Sequence, residues 1–150
     1  MKKFRIYVDT SVIGGCLDEE FEEESQALIE MVRDGEVVLL VSDLLVQELE
    51  ESPSEVQDIL LSLPPVHVER VVMDEESERL QQAYLKEKVV TPRHSNDAHH
   101  VSLATIATAD LVLSWNFRHI VHFNKIRGFN AVNLREGYQP LEIRSPKEFV

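Results

Sequence analysis

The sequence predicts an α/β fold of three layers, in which helices cover both faces of a mostly parallel central sheet. Two features of the chain lead to this class. Short apolar segments alternate with amphipathic helical segments, which is the order that builds parallel sheets. The segment Val37–Val41 is apolar without interruption, as in strands that are buried on both faces. A length of 150 residues favours a single domain, which we expect to span residues 1–150.

The first elements follow from local patterns. The segment Phe4–Val8 is apolar and partly β-branched and stops at an Asp-Thr-Ser cluster, so it is predicted as a strand. The segment Glu22–Arg33 places its apolar residues on one helical face, and Gly35 supplies a C-terminal cap. After the strand Val37–Val41, a serine at position 42 can cap a helix over Asp43–Glu51.

The later elements are bounded by prolines and polar clusters. Pro53 or Ser54 opens another helix that ends near Leu63, before two prolines. Further along the chain we expect the strand Val66–Val72, the helix Asp74–Lys88, the loop Val89–Asn96, the small-residue helix Asp97–Thr108 and the strand Leu111–Leu113. In the last part, Ala131–Leu134 is predicted as one more strand and Ser145–Glu148 as the start of a helix.

The charge of the chain is strongly acidic and unevenly distributed. Fifteen basic and 27 acidic residues give a net charge of −12, which argues against binding nucleic acid by bulk charge alone. Residues 91–150, however, hold 7 basic and 5 acidic residues. Any surface that faces a polyanion is therefore expected there, with the candidates Arg93, Arg118, Lys125 and Arg127.

Cysteine content and hydropathy favour a cytoplasmic protein without membrane contact. A single cysteine, Cys16, excludes a disulfide within the chain and fits a reducing compartment. The longest apolar run has five residues, too few to span a bilayer. The basic N-terminus is not followed by an apolar stretch, so it does not form a signal peptide.

Polar side chains at the predicted strand ends indicate a site. In open α/β sheets, ligands bind beyond the carboxyl ends of the strands. Side chains from four separate segments can converge there: Asp9, Glu48, Asp97 and Asn116. Three crowded carboxylates either raise one another's pKa or hold a cation. Oxygen ligands suit Mg²⁺ or Mn²⁺, ions that assist the hydrolysis of phosphodiesters.

Each of these residues also has a purely structural interpretation. Asp9 can cap a turn, Glu48 can face solvent, Asp97 can favour the dipole of its helix, and Asn116 can be a turn residue. A zinc site is not predicted, because the histidines lack a neighbouring cysteine and an HExxH motif. They are expected to cap, pack or contact phosphate instead: His94, His99, His100, His119 and His122. Trp115 is interpreted as a core or rim residue, with stacking on a base as the alternative.

Four segments resemble, in order, the motifs of PIN-domain ribonucleases: Tyr7–Ser11, Ser42–Leu49, Asn96–Ala98 and Asp110–Phe117. The resemblance covers about residues 4–120 and implies an α/β/α sandwich and an endoribonuclease that depends on Mg²⁺ or Mn²⁺. Many such small proteins are toxins of bacterial toxin–antitoxin pairs and act as homodimers, which implies an antitoxin partner and an RNA substrate. Carried over, the acidic metal ligands would be Asp9, Glu48 and Asp97.

The fourth motif departs from the common pattern, because many family members have an acid where this chain has Asn116. A variant that ends Ser-Trp-Asn also occurs in the family. Asn116 removes one negative charge from the site, and the whole chain has a net charge of −12. Both features favour the alternative of a PIN-like binding or scaffold module without catalysis. A phosphatase with an aspartyl nucleophile fits less well, because Ser11 stands where that class has a second aspartate. No phosphate-binding P-loop is present.

Overall fold

A computed structural model describes residues 2–150, and its centre is a five-stranded sheet. The strands are β1 (Arg5–Val8), β2 (Val38–Ser42), β3 (Val68–Val71), β4 (Leu111–Leu113) and β5 (Ile143–Arg144). They lie in the order β3-β2-β1-β4-β5, and every neighbouring pair is parallel. The sheet is thus entirely parallel.

Residues 2–150 contain eight α-helices. They are α1 (Thr10–Gly15), α2 (Glu22–Arg33), α3 (Asp43–Leu49), α4 (Ser54–Leu61), α5 (Glu75–Lys86), α6 (Ser95–Ile106), α7 (Phe123–Arg135) and α8 (Pro146–Phe149). Short 3₁₀ turns at Pro65–His67 and Pro92–His94 lead into β3 and α6. None of these helices is both long and apolar enough to cross a membrane.

Two apolar cores lie on opposite faces of the sheet. Ile6 and Val8 of β1 enter one core, and Tyr7 between them enters the other, because side chains alternate along a strand. The first core contains residues of α1, α2 and α4, and the second contains residues of α5, α6 and α7. The predicted three-layer α/β/α sandwich is therefore confirmed.

The strand order places a crevice beside the central strand. From β1 the chain moves outward to β2 and β3, then crosses to β4 on the other side of β1. Ligands in open α/β sheets bind where the order reverses in this way. Val8 pairs with Leu113, so the residues that follow β1 and β4 start side by side.

Two predictions near the C-terminus differ from the structure. The strand predicted at Ala131–Leu134 is wrong, because these residues belong to α7. Its buried residues Phe129, Val132 and Asn133 have helical spacing, which a four-residue window is too short to show. The fifth strand is instead β5, which pairs with β4 over two residues. The predicted helix start at Ser145 is confirmed, and its side chain forms a capping box with Glu148.

Other differences concern the boundaries of elements. The helix α1 directly after β1 was not predicted, because its serine, threonine and two glycines are poor helix formers. The predicted loop Val89–Asn96 contains a 3₁₀ turn, and α6 begins at Ser95 rather than at Asp97. Asp97 consequently lies within the first turn of α6 rather than at its first residue.

Candidate functional site

Asp9 follows β1 and is buried, and both of its carboxylate oxygens accept hydrogen bonds. The Ser11 hydroxyl donates to Oδ1 at 2.6 Å, and the Ser114 hydroxyl donates to Oδ2 at 2.8 Å. The same hydroxyls accept from the backbone N–H groups of Trp115 and Asn116, each at 2.9 Å. Asp9 precedes α1 without a capping hydrogen bond from its side chain. Its carboxylate therefore joins the end of β1 to the segment after β4 rather than capping a turn.

The environment of Asp9 disfavours its ionised form. Burial raises the pKa of its carboxyl, and the charge of Asp97 raises it further. The positive form of His100 and the two serine hydrogen bonds act in the opposite direction without cancelling the effect of burial. Above the raised pKa, ionised Asp9 therefore lowers the free energy of unfolding.

Glu48 lies on α3 and turns toward the same edge of the sheet. Its Oε1 accepts a hydrogen bond from Thr10 Oγ1 at 2.6 Å and lies 2.7 Å from Nε2 of His100. Burial raises the pKa of Glu48, but the hydrogen bonds from His100 and Thr10 and the charge of His100 outweigh it. The pKa of Glu48 therefore lies below its ordinary value, and the side chain is an anion at neutral pH.

His100 is the residue that fixes Glu48, and the sequence analysis did not select it as a site residue. It is 2% exposed, and its Nδ1 lies 2.6 Å from the Tyr7 hydroxyl. That hydroxyl lies 2.9 Å from Oγ of Ser42, the N-cap residue of α3. The spacing of three residues between Asp97 and His100 places both on one face of α6, which is the signal that the sequence offered.

Asp97 and Asn116 meet at the rim of this group. Burial raises the pKa of Asp97, and the charges of His100 and His119 together with the nearby Asn116 side chain lower it without cancelling the effect of burial. The Asn116 Oδ1 accepts from the backbone N–H of His119 at 2.9 Å. Asn116 thus stabilises a turn through its carbonyl oxygen, and its side chain lies near Asp97.

The structure brings all four predicted side chains to one edge of the sheet. Ser114 bridges the Asp9 carboxylate to the backbone of Asn116, and Asn116 contacts Asp97. We call this group the carboxylate cluster: Asp9, Glu48, Asp97 and Asn116. Thr10 and His100 connect Glu48 to the same edge. The cluster supplies oxygen donors, the ligand type that hard divalent cations prefer.

Two histidines flank the cluster at its rim. The rings of His94 and His119 are stacked with centroids 3.6 Å apart and an interplanar angle of 22°. The His94 Nδ1 lies 3.7 Å from Oδ2 of Asp97. One ligand atom from each of these three side chains lies within 4.8 Å of the other two. The sequence gives no signal for this pairing, because the two histidines lie on separate segments.

Trp115 packs in the core rather than facing solvent. It is 8% exposed and stacks on Phe21 with ring centroids 4.3 Å apart. Its Nε1 donates to Ser25 Oγ at 2.8 Å. Gly15 permits this packing, since a Cβ there would lie 2.6 Å from Ser25 Oγ and 3.0 Å from Trp115 Nε1. The interpretation as a core or rim residue is thus confirmed.

Comparisons with known proteins support the fold. The sequence matches no protein-family model and no curated protein. The structure is similar to a chain of VapBC2 from Rickettsia felis, in a crystal structure of that protein bound to a DNA fragment from their promoter. The TM-score is 0.58 at 13% identity, over 95% of this chain and 98% of the other. At this identity the similarity concerns the fold.

Proposed function

We propose that the chain is a PIN-domain ribonuclease that hydrolyses RNA phosphodiester bonds with the help of Mg²⁺ or Mn²⁺. The observation that carries this proposal is the convergence of Asp9, Glu48 and Asp97 at one edge of the sheet. The order of the four motifs and the fold shared with the VapBC2 chain support it.

The residues of the carboxylate cluster fit such an ion. Burial raises the pKa of both Asp9 and Asp97, and the charge of Asp97 raises that of Asp9, so a cation would relieve unfavourable negative charge. Asp9, Glu48 and Asp97 would hold the ion. The carbonyl oxygen of Asn116 accepts one hydrogen bond, from His119, and its second lone pair would add a neutral donor. When bound, Mg²⁺ or Mn²⁺ polarises a phosphodiester and lowers the pKa of water.

The surrounding side chains keep these carboxylates in place. His100 and Thr10 both engage Oε1 of Glu48, which leaves Oε2 free of those two contacts. Ser11 and Ser114 each use one oxygen of Asp9, and an ionised carboxylate oxygen can accept a second interaction. Asp9 and Glu48 are therefore oriented by hydrogen bonds before any ligand arrives, and such preorganisation favours catalysis.

An RNA-cleavage assay on the full chain tests the proposal. After treatment with EDTA we expect no cleavage of single-stranded RNA, and cleavage should return on addition of Mg²⁺ or Mn²⁺. Glu48→Gln should remain inactive under both conditions. Glu50→Gln is the matched control, because Glu50 is exposed at the end of the same helix. Cleavage that is independent of metal, or equal in both variants, would contradict the proposal.

A binding or scaffold module without catalysis is the second candidate function. Asn116 favours it, because an amide replaces an acid and its carbonyl oxygen already accepts from His119. Under this alternative, wild-type protein would cleave no RNA with either ion. The net charge of −12 also suits a protein partner better than a polyanion.

Asn116→Asp is expected to tighten Mn²⁺ binding. A fourth carboxylate adds attraction to the ion, whereas the three present carboxylates suit one divalent ion. Asn116→Ala should weaken binding modestly, because water can replace one neutral ligand. Isothermal titration of metal-free protein with Mn²⁺ measures both effects. Equal affinity and stoichiometry in Asn116→Asp and wild type would show that Asn116 does not contribute to the ion site.

Basic residues of the C-terminal part are proposed to contact RNA. Arg118 and Arg127 are exposed. Lys125 donates a hydrogen bond to the Val89 carbonyl oxygen at 2.8 Å, so its ammonium group already has a partner within the chain. Arg118→Glu combined with Arg127→Glu should weaken RNA binding and flatten its salt dependence, by about 0.7 in slope per lost phosphate contact. Arg79→Glu, on the acidic helix α5, is the control. An unchanged slope would place the RNA contact elsewhere.

The resemblance also leads us to propose a setting for this activity. The chain would act in the cytoplasm, form a homodimer and pair with an antitoxin. VapBC2 is described as bound to a promoter fragment, which favours a partner that binds DNA. A short adjacent reading frame that encodes a DNA-binding protein would support the toxin role, and sedimentation of the purified chain would test the dimer.

A further inference from the structure

We propose that His94, Asp97 and His119 form a second metal site, which binds a transition-metal ion of the Zn²⁺ class at the rim of the carboxylate cluster. This proposal concerns metal binding alone, so it holds whether or not the chain cleaves RNA. We call these three residues the rim triad.

The rim triad is assembled from two separate segments. His94 ends the 3₁₀ turn before α6, and Asp97 lies in the first turn of α6. His119 lies in the connection between β4 and α7. All three side chains are partly exposed, so an ion can reach them from solvent.

The distances suit a single ion after a small adjustment. One ligand atom of each residue lies within 4.8 Å of the other two. Zinc binds nitrogen and oxygen ligands at about 2.0–2.2 Å. The three ligand atoms must therefore move somewhat closer to one another than the 4.8 Å limit within which they now lie. The stacked rings of His94 and His119 would turn slightly out of register so that their nitrogens converge.

The donor set distinguishes the rim triad from the carboxylate cluster. Two imidazoles and one carboxylate are ligands of borderline metals such as Zn²⁺, and three protein ligands leave a fourth position open. Mg²⁺ prefers oxygen donors throughout.

The turn that carries His119 is held in place without metal. Its backbone N–H donates to Asn116 Oδ1 at 2.9 Å, and the Asn116 side chain also contacts Asp97. Asn116 therefore supports the turn that carries His119. A ligand whose support is fixed in this way binds metal with less loss of conformational freedom.

Isothermal titration of the metal-free full chain with ZnCl₂ tests the rim triad. We expect His94→Ala and His119→Ala each to weaken zinc binding about tenfold or more, because the loss of an outer-shell partner alone costs 10–100-fold in metal affinity. His122→Ala is the matched control, since His122 is exposed on the same connection and lies outside the triad. It should bind zinc as wild type does.

Glu48→Gln separates this proposal from the proposed function. That variant should lose Mn²⁺ affinity and keep zinc affinity, whereas His94→Ala and His119→Ala should do the reverse. Asp97→Asn should weaken binding of both ions. The visible absorption of bound Co²⁺ gives a second readout, which should disappear when both histidines are replaced.

Two results would overturn the rim triad. One is wild-type protein that takes up no zinc, and the other is zinc affinity that is unchanged in both single histidine variants. If His119→Ala unfolds, His119→Gln with the Co²⁺ spectrum replaces it and leads to the same decision. Neither result would affect the proposed function, which depends on Mn²⁺ or Mg²⁺ and on Glu48.

Discussion

Asp9→Asn and Asp97→Asn are each expected to lower RNA cleavage by at least about 100-fold, the scale on which removal of one preorganised electrostatic group acts. Both changes remove a carboxylate that would hold the divalent ion. In Asp9→Asn the amide keeps one acceptor for Ser11 or Ser114, so the link between the ends of β1 and β4 is retained in part. Initial rates of RNA cleavage at saturating Mn²⁺ measure the effect.

The same variants should keep or gain stability in metal-free buffer. The pKa values of Asp9 and Asp97 are raised, so their carboxyls bind protons more readily in the folded than in the unfolded state. The free energy of unfolding therefore falls as the pH rises through the pKa values of these two carboxyls, and an asparagine, which stays neutral, avoids that loss. Thermal unfolding with EDTA checks this. A large drop in Tm would show that these acids are structural.

Trp115→Ala is expected to lower the free energy of unfolding by about 3–5 kcal/mol, the usual cost of truncating a buried tryptophan or phenylalanine. The indole stacks on Phe21 and donates to Ser25, and both contacts would be lost. Trp115→Phe should cost much less, because it loses the hydrogen bond to Ser25 but keeps most of the packing. Urea unfolding followed by circular dichroism measures both variants.

RNA binding separates this account of Trp115 from base stacking. If Trp115 is a core residue, Trp115→Phe should bind RNA as wild type does, because an indole that is 8% exposed leaves little ring surface on which a base can stack. If Trp115→Phe has wild-type stability but lower RNA affinity, the indole ring contacts RNA instead. Phe117, which is 49% exposed and contacts Trp115 edge-on, would then be the next residue to replace.

The layered fold was predictable because its signals are local. An uninterrupted apolar run such as Val37–Val41 is explained by burial from both sides, and alternating strands and helices are explained by parallel pairing. Sequence patterns did not predict the elements that are short or unusual in composition. The helix α1 contains two glycines, and β5 forms over only two residues, so neither has a pattern long enough to detect.

The candidate site was predictable as far as sheet topology determines it. Asp9 and Asn116 follow strands that lie side by side, so their proximity follows from strand order. The role of His100 depends on contacts with Tyr7 and Glu48, which lie 93 and 52 residues away in sequence. The stack of His94 on His119 likewise joins two loops, and no periodicity in sequence records such a contact.

Binding of Mn²⁺ to wild type and to Asp9→Asn tests the central claim most directly, namely that the carboxylate cluster holds a divalent cation. A ligand that binds the folded state alone raises stability in proportion to its concentration relative to Kd, by about 2.7 kcal/mol at 100 times Kd. We predict that Mn²⁺ raises the Tm of EDTA-treated wild type and leaves that of Asp9→Asn unchanged. An equal rise in both proteins, or none in wild type, would contradict the account.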